Sequence, residues 1–199
     1  MGKICRIGVL IVVSIILGKV TCVYSQAPCK IKDGYAYFEK NPKTLGVDFF
    51  IGIPDEWVIQ KSELPNIVAE MCYGNDVQVI IGVEAGDTFV SRSQARIMVN
   101  SGEIERIFAK EHEMQGFGTV ITNATSEIVD SYPGRRIIMS LQRDDFVDGR
   151  VVKNPYVGEI WTIFYEDVQI SIMAFCSKQN YKKYSYIFYN IVKSMVFLS

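Results

Sequence analysis

The chain has 199 residues, with 21 Lys and Arg against 22 Asp and Glu and a formal charge of −1. That balance lacks the basic excess on which electrostatic nucleic-acid binding draws, and the length fits one domain with a proper core. Beyond the first residues, charges and prolines interrupt every apolar run before it could span a bilayer.

The chain opens with Lys3 and Arg6, an apolar run from Ile7 to Leu17, and Val23-Tyr24-Ser25. This is the pattern of a secretory signal peptide. Cleavage is expected after Ser25, because a cut after Ala27 would set Pro28 beside the scissile bond. An uncleaved anchor and lipid attachment at Cys22 are the alternatives. The run falls short of the ~20 residues a span needs, and Lys19 stands where a lipidation signal wants an apolar side chain. Loss of residues 1–25 removes Lys3, Arg6 and Lys19 and takes the formal charge from −1 to −4. The expected product is a mildly acidic exported domain, in a periplasm, at a cell surface or outside the cell. Cys29, Cys72 and Cys176 then remain; an odd number allows at most one intramolecular disulfide. Export permits such a bond without requiring it, and the pairing stays open.

Residues 26–46 read as an irregular N-terminal segment with one short strand, Tyr35 to Phe38. The domain proper is expected over 47–199. Val47, Phe49, Ile51 and Ile53 alternate up to a turn at Pro54-Asp55. Trp57 to Gln60 and Ile67 to Tyr73 read as extended. Gly74-Asn75-Asp76 is a hairpin turn, and Val77, Val79, Ile81 and Val83 continue the period of two. From about Ser91 to Met114 the apolar spacing becomes helical. Asn100-Ser101-Gly102 interrupts it, so two short helices or one broken helix fit equally, with Ser101 able to cap the second.

Thr119 to Asp130 is β-branched and suits a strand with a wet face. Tyr132-Pro133-Gly134 is expected to turn the chain, Ile137, Met139 and Leu141 to form a strand, and Asp144 to Asn154 a charged loop. Two alternating runs follow, joined at Glu166-Asp167: Val157, Trp161, Ile163 and Tyr165, then Val168, Ile170, Ile172, Ala174 and Cys176. Cys176 reads as a small buried hydrophobe. Tyr184, Ile187, Phe188, Ile191, Val192 and Met195 then draw one apolar stripe down a helix. The order strands, helix, strands, helix predicts an α+β domain on a mostly antiparallel β-sheet flanked by helices.

Three stretches carry a family likeness. Phe49-Phe50-Ile51-Gly52-Ile53-Pro54-Asp55-Glu56-Trp57 resembles the opening strand of the PsbP-like superfamily. Tyr132-Pro133-Gly134-Arg135-Arg136 resembles the turn into its central hairpin, and Lys193-Ser194-Met195-Val196-Phe197 its closing helix. The resemblance spans about residues 47–197. It implies an α/β/α sandwich used as a binding or assembly module, with no shared catalytic set. Relatives of this kind include thylakoid-lumen photosystem II subunits, Ran-binding nuclear proteins and many exported bacterial proteins; the leader excludes the nuclear role.

Candidate chemistry is sparse. His112 is the sole histidine. A zinc-protease motif needs a second His where Gly116 stands, so His112 reads as a solvated helix residue. Asp144-Asp145-Phe146-Val147-Asp148-Gly149 imitates a calcium loop, but Phe146 and Pro155 occupy ligand positions; an acidic turn is expected instead. Asn123-Ala124-Thr125 is a glycosylation sequon. No catalytic residue, metal site or cofactor is assigned. Tyr186 and Tyr189, with Lys182, Lys183 and Lys193, lie on the polar side of the last helix and suit a partner-binding patch. Arg135 and Arg136 beside Tyr132 could contact an acidic partner, with one of them expected to face solvent at the turn. The expected function is an exported, non-enzymatic binding or assembly module with a protein partner. The alternative is a small-ligand carrier or hydrolase with a pocket between sheet and helix, using Cys72 or His112.

Overall fold

One antiparallel sheet divides the core into two layers, because its central strands are apolar on both faces. The computed structural model describes residues 29–74, 76–86, 90–114, 119–147 and 150–198. Residues 1–28, which include the expected leader with Cys22 and the cleavage expected after Ser25, lie outside them. In chain order the elements are β1 (Lys30–Lys32), β2 (Tyr35–Phe38), β3 (Phe49–Gly52), β4 (Val58–Gln60), β5 (Ile67–Tyr73) and β6 (Val77–Ala85). The helices α1 (Arg92–Asn100) and α2 (Glu103–Met114) follow. Then come β7 (Val120–Val129), β8 (Tyr132–Val147), β9 (Arg150–Tyr165), β10 (Val168–Ser177), α3 (Tyr181–Lys193) and β11 (Val196–Phe197).

Seven strands pair in the order β4-β5-β6-β10-β9-β8-β7, and four more pair as β1-β2-β3-β11. The period of two sorts side chains between the layers. On β10, Ile170, Ile172, Ala174 and Cys176 face one layer, while Met173 and Phe175 face the other. The first layer holds α3 and the four-stranded sheet, which contribute Tyr184, Phe188, Ile191, Val192, Phe38, Phe49 and Ile51. The second holds α1 and α2, through Ala95, Val99, Ile104 and Phe108. The result is the expected α+β architecture, with Met195 and Ile191 buried as the stripe requires.

Helices α1 and α2 are separate. Ser91 caps α1 by accepting from Gln94 N at 3.3 Å, while Gln94 Oε1 accepts from Ser91 N at 2.9 Å, a reciprocal pair that satisfies two end donors. Asn100 ends the helix, Gly102 takes φ +71°, and Ser101 Oγ accepts from Glu103 N at 3.2 Å at the start of α2.

Three expectations are corrected. The β7–β8 turn is Asp130-Ser131, one step before Tyr132-Pro133-Gly134, with φ of +44° and +71°. Both central residues of this two-residue turn thus take the left-handed form that matches strand twist, without glycine. Pro133 is a strand residue; β9 pairs with β8 only from Gly134 onward, so Pro133 interrupts no ladder on that side. Residues 144–154 are a strand pair instead of a loop: β8 runs to Val147 and β9 starts at Arg150. Here the partners β7 and β10 have ended, opposite Ser140 and Tyr156 respectively, so β8 and β9 pair only with each other, and the described Val151 and Val152 are 53% and 40% exposed. Finally, Val196 and Phe197 of the closing motif are extended and pair with Phe50 and Phe49.

Candidate functional site

The C-terminal helix α3 organises the features with binding character. Its inward stripe leaves two flanks that do different things. Along one flank, Tyr186, Ile187, Asn190, Ile191 and Ser194 face the β2–β3 hairpin across an open groove of about 390 Å³. Tyr35, Gly52, Ile53 and Pro54 form its other wall. Tyr35 stacks edge-on against Phe50 at 5.3 Å, which fixes one rim. Tyr186 on the opposite rim is 71% exposed. Gly52 sets the width: its N–H donates to Ser194 Oγ at 2.7 Å, and a Cβ there would sit 2.8 Å from that oxygen. Ser194 Oγ in turn donates to Ile191 O at 2.6 Å.

Along the other flank, α3 is fastened to the sheet by a buried polar network. Glu159 on β9 has no solvent exposure. It accepts from Arg136 Nε at 2.9 Å and Arg136 Nη2 at 2.8 Å, and from the Tyr181 hydroxyl at 2.8 Å. Burial first, and then the bond to Glu159 and its charge, push the Tyr181 hydroxyl above the usual phenol range. Arg136 also lies 5.1 Å from the Trp161 ring centre and 5.5 Å from that of Tyr189. Lys193 Nζ lies 5.3 Å over the same Tyr189 ring while donating to Glu127 at 2.9 Å and Ile128 O at 2.7 Å. Cations over aromatic faces gain from the ring quadrupole, so this flank is a staple whose parts already have partners.

The start of α3 is anchored separately. Asp76 beside β6 accepts from Tyr156 Oη at 3.0 Å, Ser177 Oγ at 2.8 Å and Asn180 Nδ2 at 2.7 Å. Asn180 is the N-cap residue, yet it gives its side chain to Asp76 and makes no cap bond. Burial raises the Asp76 pKa, but the hydrogen bonds from Asn180, Ser177 and Tyr156 outweigh it and hold the carboxyl below its ordinary value.

The five residues singled out in the sequence therefore do not form one patch. Tyr186 lines the groove, Tyr189 and Arg136 belong to the staple, and Lys182 is exposed on the helix. Arg135 projects through the sheet to the opposite layer, where its guanidinium pairs with Glu105 of α2 and donates to Ser126 Oγ at 2.9 Å. Neither arginine faces solvent at a turn, since both lie within β8 and both are paired. The groove's second wall and Glu159 were not singled out; the lone carboxylate in the mostly apolar run from Val157 to Phe164 was the available signal. Cys72 is buried and accepts from Gln60 Nε2 at 3.8 Å. Cys29, Cys72 and Cys176 are all free thiols, so no disulfide links them. The side chain of His112 and those of 143–147 lie outside the described residues, as do Asp148 and Gly149. No described helix is long and apolar enough to cross a membrane.

No family model and no curated protein matches the sequence. Among solved structures, the chain resembles cyanobacterial PsbP from Synechocystis sp. PCC 6803, with a TM-score of 0.55 at 8% identity over 89% of this chain and 98% of that one. It also resembles LpqN of Mycobacterium tuberculosis, described as involved in cell envelope biogenesis, with a TM-score of 0.51 at 8% identity over 83% and 91% of the two chains. At such identities the likeness is one of fold, and the fold is PsbP-like.

Proposed function

We propose that this PsbP-like domain is an exported, non-catalytic binding module that seats an apolar side chain of a protein partner in the groove beside α3. The observation that carries it is Tyr186, a large side chain left 71% exposed at the rim of a groove lined by Ile53, Pro54 and Ile187. A tyrosine at such a rim offers wide contact at low entropy cost, and Asn190 supplies polar contacts beside it. The opposite flank of α3 makes this rim rigid, because Glu159, Arg136 and Lys193 hold the helix in place. Export rests on the leader sequence; the envelope-related LpqN shares the fold and fits that setting.

The test places a photo-crosslinking amino acid at position 186, and, as a control, at Ile97, which is 70% exposed on α1 away from the groove. A discrete adduct in the source cell at 186 and not at 97 is expected. Tyr186→Ala should weaken capture by the same partner at least ~10-fold. Adducts equal at both positions, or none at 186, overturn the reading.

A further inference from the structure

A second concavity lies at the far end of the β1–β2 hairpin from the groove. It is a cleft of about 560 Å³ between that hairpin and the segment after β4, a size that suits a small organic ligand. Lys30, Lys40, Lys43 and Lys61 line it, against Glu39 as the one acidic lining residue, so its formal charge is +3. The chain as a whole carries −1, which makes this concentration of cations a local feature and not a property of the composition.

The lysines are placed with different degrees of constraint. Lys43 commits its ammonium to the carbonyls of Ser62, Leu64 and Ile67 at 2.6, 2.8 and 3.0 Å. It therefore fixes a positive charge in the wall and ties the Lys61 segment to the turn that follows β2. Lys40 takes φ +52°, a left-handed form unfavourable for a lysine. Its N–H is held by Asp48 Oδ1 at 2.8 Å. Such strain is held in place by surrounding structure and is concentrated at functional positions. Tyr37, Phe38 and Val68 supply an apolar side to the same cleft.

We infer that this cleft binds a phosphomonoester carrying a small apolar group. Phosphate is nearly doubly charged at neutral pH, and ammonium groups match it as point charges without the planar fork of arginine. The apolar wall takes the remainder of the ligand. The same phosphate chemistry occurs in soluble metabolites and in anionic lipid headgroups.

Calorimetric titration of the intact domain, residues 26–199, with phenyl phosphate, in fixed ionic strength, tests the assignment. Saturable binding is expected. Lys40→Asn with Lys61→Gln should weaken it at least ~10-fold; asparagine tolerates the left-handed backbone, and unfolding curves establish that the variant is folded. Lys182→Gln with Lys183→Gln removes the same charge from α3 and should leave binding unchanged. Glu39→Gln should tighten it. Co-sedimentation with vesicles containing phosphatidic acid, a lipid phosphomonoester, but not with phosphatidylcholine vesicles, competed by phenyl phosphate, assigns a headgroup; calorimetric binding without co-sedimentation assigns a soluble ligand. No saturable binding in either arm, or binding equally reduced by the α3 pair, overturns the proposal.

Discussion

The Tyr181 hydroxyl, at the first residue of α3, donates a 2.8 Å hydrogen bond to Oε1 of Glu159, a carboxylate without solvent exposure in the middle of the sheet. Arg136 supplies the counter-charge from the neighbouring strand. Removing one member of a buried ion pair costs more than replacing both, because the survivor stays desolvated. Arg136→Met should therefore destabilise the domain by about 3 kcal/mol. Adding Glu159→Met should recover part of that loss, and Tyr181→Phe alone should cost about 1–2 kcal/mol. Urea midpoints measure all three; strictly additive losses would show that the two charges do not interact.

Asp76 gives the fold an acid limit. Its folded pKa lies below the unfolded value of 3.8. The stabilisation is thus fully present above that value and disappears as pH falls through the lower folded pKa. In Asp76→Asn, the fall in melting temperature from pH 5 to pH 2 should be shallower than in the wild type, with a lower plateau near pH 7. Parallel curves would mean that Asp76 does not titrate with folding.

The thiols should be inert while the chain is folded. Burial, then Asp76 and Glu159, push the Cys176 pKa up to about 12, and burial pushes Cys29 to about 11. Thiolate is the reacting form. At pH 8 iodoacetamide should leave Cys72 and Cys176 unmodified in the native protein and alkylate both after denaturation, read by peptide mass spectrometry. Rapid native labelling of Cys176 would contradict its packing.

Gly52 tests the seam between α3 and the hairpin. A methyl group there would lie 2.8 Å from Ser194 Oγ and 3.2 Å from its Cβ. Gly52→Ala should cost about 1–3 kcal/mol by forcing the helix end outward, and should reduce crosslinking at position 186. The double variant with Ser194→Ala should lose less than the two single losses summed, measured by denaturant unfolding.

Much of the architecture was legible because it is written in short-range periods. The alternation from Val168 to Cys176 named the face of β10 that meets α3, and Tyr184 to Met195 named the stripe that meets it. Ser101 announced a helix start through one hydroxyl. The functional side was less legible, for a geometric reason. Arg135 and Arg136 are adjacent in sequence, yet the pleat sends them to opposite layers, to Glu105 and Glu159. Glu159 lies 23 residues from Arg136 and 22 from Tyr181, and nothing local signals such a meeting. Lys30, Lys40 and Lys61 likewise come from separate segments. The arm over 144–154 misled because its two strands pair only with each other, beyond the ends of β7 and β10, so no core imposes the strict alternation by which strands are recognised.

The last strand has a cost attached to its position. Val196 and Phe197 cover β3, Phe197 N reaches Asp130 at 2.8 Å, and Leu198 N continues the contact to Asp48 O at 2.8 Å. A polypeptide truncated before Val196 would leave Phe49 and Phe50 on an open ladder, a template for joining another chain. Prematurely terminated copies should therefore clump instead of lingering as monomers, which makes completeness of synthesis a condition for staying dispersed.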